Sequence, residues 1–135
     1  MHDQEAAIER ILKSTKTIAV VGLSGNPMRP SFGVSEYMQD AGYRIIPVNP
    51  TEETILGEKV YASLSAIPEP VDCVDVFRKP DAVPEIVDEA IAIGAKSVWL
   101  QEGVVHEEAA AKARAAGLDV VMDRCILKEH RRLIR

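Results

Sequence analysis

Residues 17–31 read TIAVVGLSGNPMRPS: five residues that are mostly β-branched and apolar run without polar alternation into a glycine loop, and helical spacing resumes near Ser31. An uninterrupted apolar run suits a strand covered on both faces, and a strand feeding a helix through glycines is the opening unit of a parallel α/β sheet. The same grammar recurs outward from this point. Strands are expected at 44–48 (RIIPV), 73–77 (CVDVF), 97–100 (SVWL) and 118–122 (LDVVM). Between them the apolar spacing becomes helical. A helix over 3–14 places Ala7, Ile8, Ile11 and Leu12 on one face. The helix after Ser31 turns Val34, Tyr37, Met38 and Ala41 inward and stops at Gly42. A third is capped by Asp81, carries Pro84 in its first turn, buries Ile86, Val87, Ala90 and Ile91, and stops at Gly94. Residues 106–116 form a fourth, acidic at its start and basic toward its end as the macrodipole prefers, and 126–133 a short basic fifth. The stretch 49–70 reads as a loop with a turn at Gly57, a small extended piece and one or two helical turns.

The chain has 135 residues, 47% hydrophobic and 27% charged, enough for one core and too short for two. We therefore expect a single domain over 1–135, an α/β fold whose doubly wound, Rossmann-like parallel sheet of about five strands carries helices on both faces. A net charge of −5 argues against binding nucleic acid or an anionic membrane, and 4% aromatic content leaves no stacking platform for single strands. No apolar run reaches the length of about 20 residues that a bilayer requires, and the acidic N-terminus lacks a signal-peptide core, so a cytoplasmic location is expected. Cys73 and Cys125 have no metal-ligand spacing, and no metal site is expected.

In such a sheet the ligand lies beyond the carboxyl ends of the strands, where strand order reverses. After the first strand, Gly22, Ser24, Arg29 and Ser31 suit a phosphate at a helix N-terminus; the alternative is a tight connection in which Ser31 only caps the helix. The dinucleotide fingerprint GxGxxG is absent, since Ser24 stands where its second glycine would be. At the end of the second strand, where that fingerprint wants an acidic residue, the sequence has Val48, Asn49 and Pro50. A ribose bearing a phosphate would thus meet no repelling carboxylate. The third strand ends in Phe77, Arg78 and Lys79, which are either a solvated pair of cations or the partners of a phosphate. The fourth ends in Gln101 and Gly103, and the fifth in Arg124, which either reaches the ligand or pairs with Asp123 or Glu102.

Taken together, GLSGNPMRPS, Val48-Asn49-Pro50, Val76-Phe77-Arg78-Lys79-Pro80, Trp99-Leu100-Gln101-Glu102-Gly103 and Met122-Asp123-Arg124-Cys125 resemble the small stand-alone CoA-binding proteins. These are related to the CoA-binding domain that opens the succinyl-CoA synthetase alpha subunit. The resemblance implies coenzyme A, or acyl-CoA, in the crevice. It places Gly22, Ser24 and Ser31 at the phosphates, Val48 and Pro50 on the adenine side, Phe77 and Arg78 at the nucleotide, and Gln101 and Gly103 along the pantetheine arm. The synthetase works through a phosphorylated histidine in a second domain, so its ligase chemistry is not expected here.

A catalytic set is not apparent. His2, His106 and His130 read as surface residues, and the pairs Glu52-Glu53 and Glu107-Glu108 as solvated. Cys73 reads as a core residue; Cys125, beside Arg124, is either a small corner residue or a thiol open to mixed disulfide formation with CoA. The expected function is non-catalytic binding of CoA or acyl-CoA. The alternatives are an acyl-CoA-using enzyme or enzyme subunit, and an NAD(P)-binding redox sensor. A homo-oligomer through Leu127, Leu133 and Ile134 is a further expectation.

Overall fold

The computed structural model describes residues 4–134. His2 and Asp3 lie outside the described residues. The apolar runs form β1 (Thr17–Val21), β2 (Arg44–Val48), β5 (Cys73–Val76), β6 (Ser97–Leu100) and β7 (Asp119–Val121), paired in parallel in the order β2-β1-β5-β6-β7. The chain thus steps from β1 to one side for β2, then returns to the other side of β1 for β5. That reversal opens a crevice beyond the ends of β1 and β5. In the 49–70 stretch a two-residue hairpin joins β3 (Thr54–Ile55) to β4 (Glu58–Lys59), and one turn of 3₁₀ helix follows at Leu64–Ala66.

Side chains alternate across the sheet, so each strand feeds two cores. Ile18, Val20, Ile45, Cys73, Trp99 and Val121 meet α1 (Glu5–Ser14), α2 (Pro30–Asp40) and α5 (Ile126–Leu133) through Ile8, Ile11, Leu12, Met38 and Ile126. On the other face, Ala19, Val21, Val74, Val76, Val98, Leu100 and Val120 meet α3 (Val83–Ala92) and α4 (Glu107–Ala115) through Ile86, Val87, Ala90, Ala110 and Ala113. Trp99 is fully buried, and its indole N–H donates to the Arg124 carbonyl at 2.9 Å, which ties the β7–α5 corner to the sheet.

Several details differ from the sequence reading. The buried stripe of α2 is Ser31, Ser35 and Met38, while Ala41 is exposed beyond the helix end. Two serines are small enough to lie against the strands, and apolar spacing does not reveal them. Asp81 does not cap α3: a 3₁₀ turn at Pro80–Ala82 precedes the helix, whose N-cap is Ala82. Phe77 leaves the third strand of the main sheet, although its N–H still reaches the Val21 carbonyl at 2.9 Å. His130 is no surface residue. It is 8% exposed on α5, its Nδ1 is 2.9 Å from the Tyr37 hydroxyl, and its ring meets the edges of Tyr37 and Tyr43. Leu133 and Ile134 pack back onto the core. Among the described residues no helix is long and apolar enough to cross a membrane.

Candidate functional site

Gly22 follows β1 directly and lies against the Phe77 backbone that follows β5. Its φ of +89° suits glycine, its N–H donates to the Val48 carbonyl at 3.0 Å, and a Cβ here would sit 2.4 Å from the Phe77 carbonyl oxygen. The loop beyond it is held by its own side chains. Ser24 N–H donates to the Ser31 hydroxyl and Asn26 N–H to the Ser24 hydroxyl, both at 3.0 Å, while Asn26 Oδ1 accepts from Met28 N–H. Ser31 therefore does not act as the cap of α2; the N-cap position is Arg29, and Ser31 anchors the loop instead.

These elements surround a cavity of about 750 Å³. Gly22, Ser24, Arg29 and Ser31 line one wall, Phe77, Arg78 and Lys79 a second, and Gln101 and Gly103 a third. Nine of the thirteen residues singled out in the sequence converge there. Pro30, Val34, Pro80, Glu102, Val104 and Cys125 complete the lining. Of these, Cys125 is expected at this edge from its place after Arg124, and the rest fall one to three residues from residues that the sequence singles out. Among the described residues, the side chains of Arg29, Arg78 and Lys79 form no ion pair, whereas Arg10, Arg44, Lys112, Lys128 and Arg132 each hold a carboxylate. Three uncompensated cations beside a glycine cradle make the crevice locally positive in an acidic chain.

Four expected residues stand outside the lining. Val48 is buried in the core beside β1, Pro50 is exposed, and Asn49 works as a brace, its Nδ2 donating to the Leu23 carbonyl at 3.0 Å. The Arg124 guanidinium donates to the Asp123 carbonyl at 3.2 Å, not to a carboxylate, and Glu102 pairs with Lys128 instead. The region is not free of negative charge either. Asn49 Oδ1 accepts from Thr51 and Glu52 N–H, bending the chain back so that the Glu52 carboxylate accepts from Gly25 N–H at 2.9 Å. An acidic residue thus does reach the loop from beyond β2, and Glu52 is not merely solvated; only the side-chain turn at Asn49 would have signalled it.

On the cavity wall, Gln101 is 5% exposed and its Nε2 donates to Asp75 Oδ1 at 2.5 Å. Burial pushes the Asp75 carboxyl up to about 7, against the lowering effect of bonds from Gln101 and the Val76 backbone. Gly103, with a φ of +84°, is pinned by its N–H to Asp123 Oδ1 at 2.8 Å. Cys125 is a free thiol at the start of α5, and burial pushes the thiol of Cys73 upward. His106 is a helix cap, its Nδ1 accepting from Ala109 N–H at 3.1 Å. Among the described residues no three His, Cys, Asp or Glu side chains converge as a metal site would need.

Residues 16–131 match the family model described as a CoA binding domain. The chain belongs to that family. Uncharacterized protein YneT of Bacillus subtilis is 47% identical over 126 residues, covering 93% of each chain. A hypothetical protein from Pyrococcus horikoshii superposes with a TM-score of 0.92 at 43% identity, over 96% of this chain and 92% of that one. An ADP-forming acetate–CoA ligase II of Archaeoglobus fulgidus is 32% identical over 95 residues, which span 69% of this chain and 14% of the ligase. The matched region thus spans 93% of the first of these relatives and 14% of the ligase.

Proposed function

We propose that the chain binds coenzyme A or an acyl-CoA in this crevice without transforming it. The observation that carries the reading is the set of three cations, Arg29, Arg78 and Lys79, that hold no ion pair among the described residues and line one cavity with Gly22 at the point where strand order reverses. A ligand with a pyrophosphate and a further phosphate supplies the charges these side chains lack, and each charge-assisted bond contributes about 1.5–3 kcal/mol. The same cavity is also lined by Gln101, Gly103, Val104 and Cys125, uncharged groups against which an uncharged arm would fit. The same reading places the protein in the cytoplasm, since two free thiols suit a reducing compartment.

Calorimetric titration with CoA, dephospho-CoA and NAD under identical conditions tests the proposal. CoA should bind most tightly, and Arg78→Ala should weaken it roughly ten- to a hundredfold without unfolding the chain. Equal affinity for NAD, or no binding of CoA at millimolar concentration, would overturn it. Turnover of acetyl-CoA by the purified chain would instead show an enzyme.

A further inference from the structure

Asp75 occupies a core position of β5, 2% exposed, with Val20 of β1 and Trp99 of β6 as its ladder neighbours. A carboxyl group there is costly, and an apolar residue would serve the sheet better. Its side-chain partner is Gln101, whose amide nitrogen it holds. A primary amide has one donor end and one acceptor end. With the nitrogen engaged by Asp75, the oxygen is the end left to the cavity that Gln101 lines, and among the described residues nothing donates to it.

We propose that Asp75 is a positioning residue for the crevice: by holding the Gln101 amide nitrogen it presents the amide oxygen as a fixed acceptor for an N–H of an amide-bearing ligand chain. This rests on the CoA reading, because the pantetheine arm carries two such amides. The device depends on the ionised carboxylate. An ionised Asp75 can only accept, which fixes the amide; a protonated Asp75, like the amide in Asp75→Asn, can donate as well as accept, so it no longer fixes which end of Gln101 faces the cavity.

The other titratable groups near Asp75 do not reproduce this behaviour. Cys73, on the same strand, carries a thiol held protonated by burial. On the covering helices, α1 contributes Ile8, Ile11 and Leu12, while Tyr37 of α2 and His130 of α5 bond to each other. The charges facing the cavity are Arg29, Arg78, Lys79 and Glu102, and Asp75→Asn leaves all four in place.

The test measures affinity of wild type and Asp75→Asn from pH 5.5 to 8.5 for CoA and for 3′-phosphoadenosine 5′-diphosphate, which lacks the arm. Ligand ionisation cancels in the wild-type-to-variant ratio at each pH. For CoA that ratio should rise about tenfold across the range, and for the armless ligand it should stay within about twofold. Gln101→Leu, at the cavity wall, should weaken CoA about tenfold and leave the armless ligand unchanged, giving a second measurement should Asp75→Asn not fold. A flat CoA ratio, an equal change for the armless ligand, or an unaltered CoA affinity in Gln101→Leu would overturn the proposal while CoA binding itself stands. Absence of CoA binding to the wild type at every pH would instead overturn the CoA reading and this proposal with it.

Discussion

At Gly22 the chain has no room for a side chain, since a Cβ would meet backbone at 2.4 Å and the φ of +89° strains any L-residue. Gly22→Val should therefore cost at least about 2 kcal/mol of stability and reduce ligand affinity more than tenfold, measured by chemical unfolding and calorimetry. Glu52 allows a change in the opposite direction. Its carboxylate holds Gly25 N–H beside the loop that the phosphates would approach. Glu52→Gln keeps an acceptor for that N–H and removes the charge, so it should raise affinity for a polyanionic ligand about three- to fivefold at low salt and less at high salt. The two residues also differ in legibility. Gly22 could be singled out because a glycine ending an apolar strand is a local signal, whereas Glu52 finds its partner 27 residues away through a turn made by the Asn49 side chain.

At the scale of elements, α5 packs against α1 and α2, and its N-cap is Cys125 on the cavity wall. It is docked by Ile126 and by His130, whose ring lies between Tyr37 and Tyr43. Burial lowers the His130 pKa, so the folded state prefers the neutral ring. The stability associated with that neutral ring is present above the ordinary histidine range and is lost as pH falls through it and below. His130→Phe should remove this acid-side slope while keeping the packing, which urea unfolding between pH 5 and 8 would show; an unchanged slope would mean that α5 docks independently of His130. The basic, short α5 was readable from spacing and charge. Its buried histidine was not, because one tyrosine belongs to α2 and the other directly precedes β2, and Tyr37 lies 93 residues away.

For the whole molecule, the Asp75 carboxyl acts on stability in the opposite sense. With its pKa raised to about 7, the folded state holds the proton more tightly than the unfolded chain. The associated stability is complete below the ordinary carboxyl range and is lost as pH rises toward 7, a loss of roughly 4 kcal/mol for a shift of about three units. Asp75→Asn should remove that loss and gain about 2–4 kcal/mol on the wild type between pH 4 and pH 8 in denaturant titrations; a constant difference would show that Asp75 does not titrate there. Such a residue makes sense where a binding crevice has been cut into a core, since sites tolerate what stability alone would discard. The five parallel strands, the helices between them, the glycine turn at Gly22 and the cations at Arg29, Arg78 and Lys79 follow from the sequence by itself, because they rest on periodicity, chain stiffness and charge within a few neighbouring residues. Only the tertiary structure decided that Glu52 closes on the loop, that His130 is interior and that Asp75 holds Gln101 from 26 residues away. A polar side chain takes its role from its partner, and packing across the sheet selects that partner.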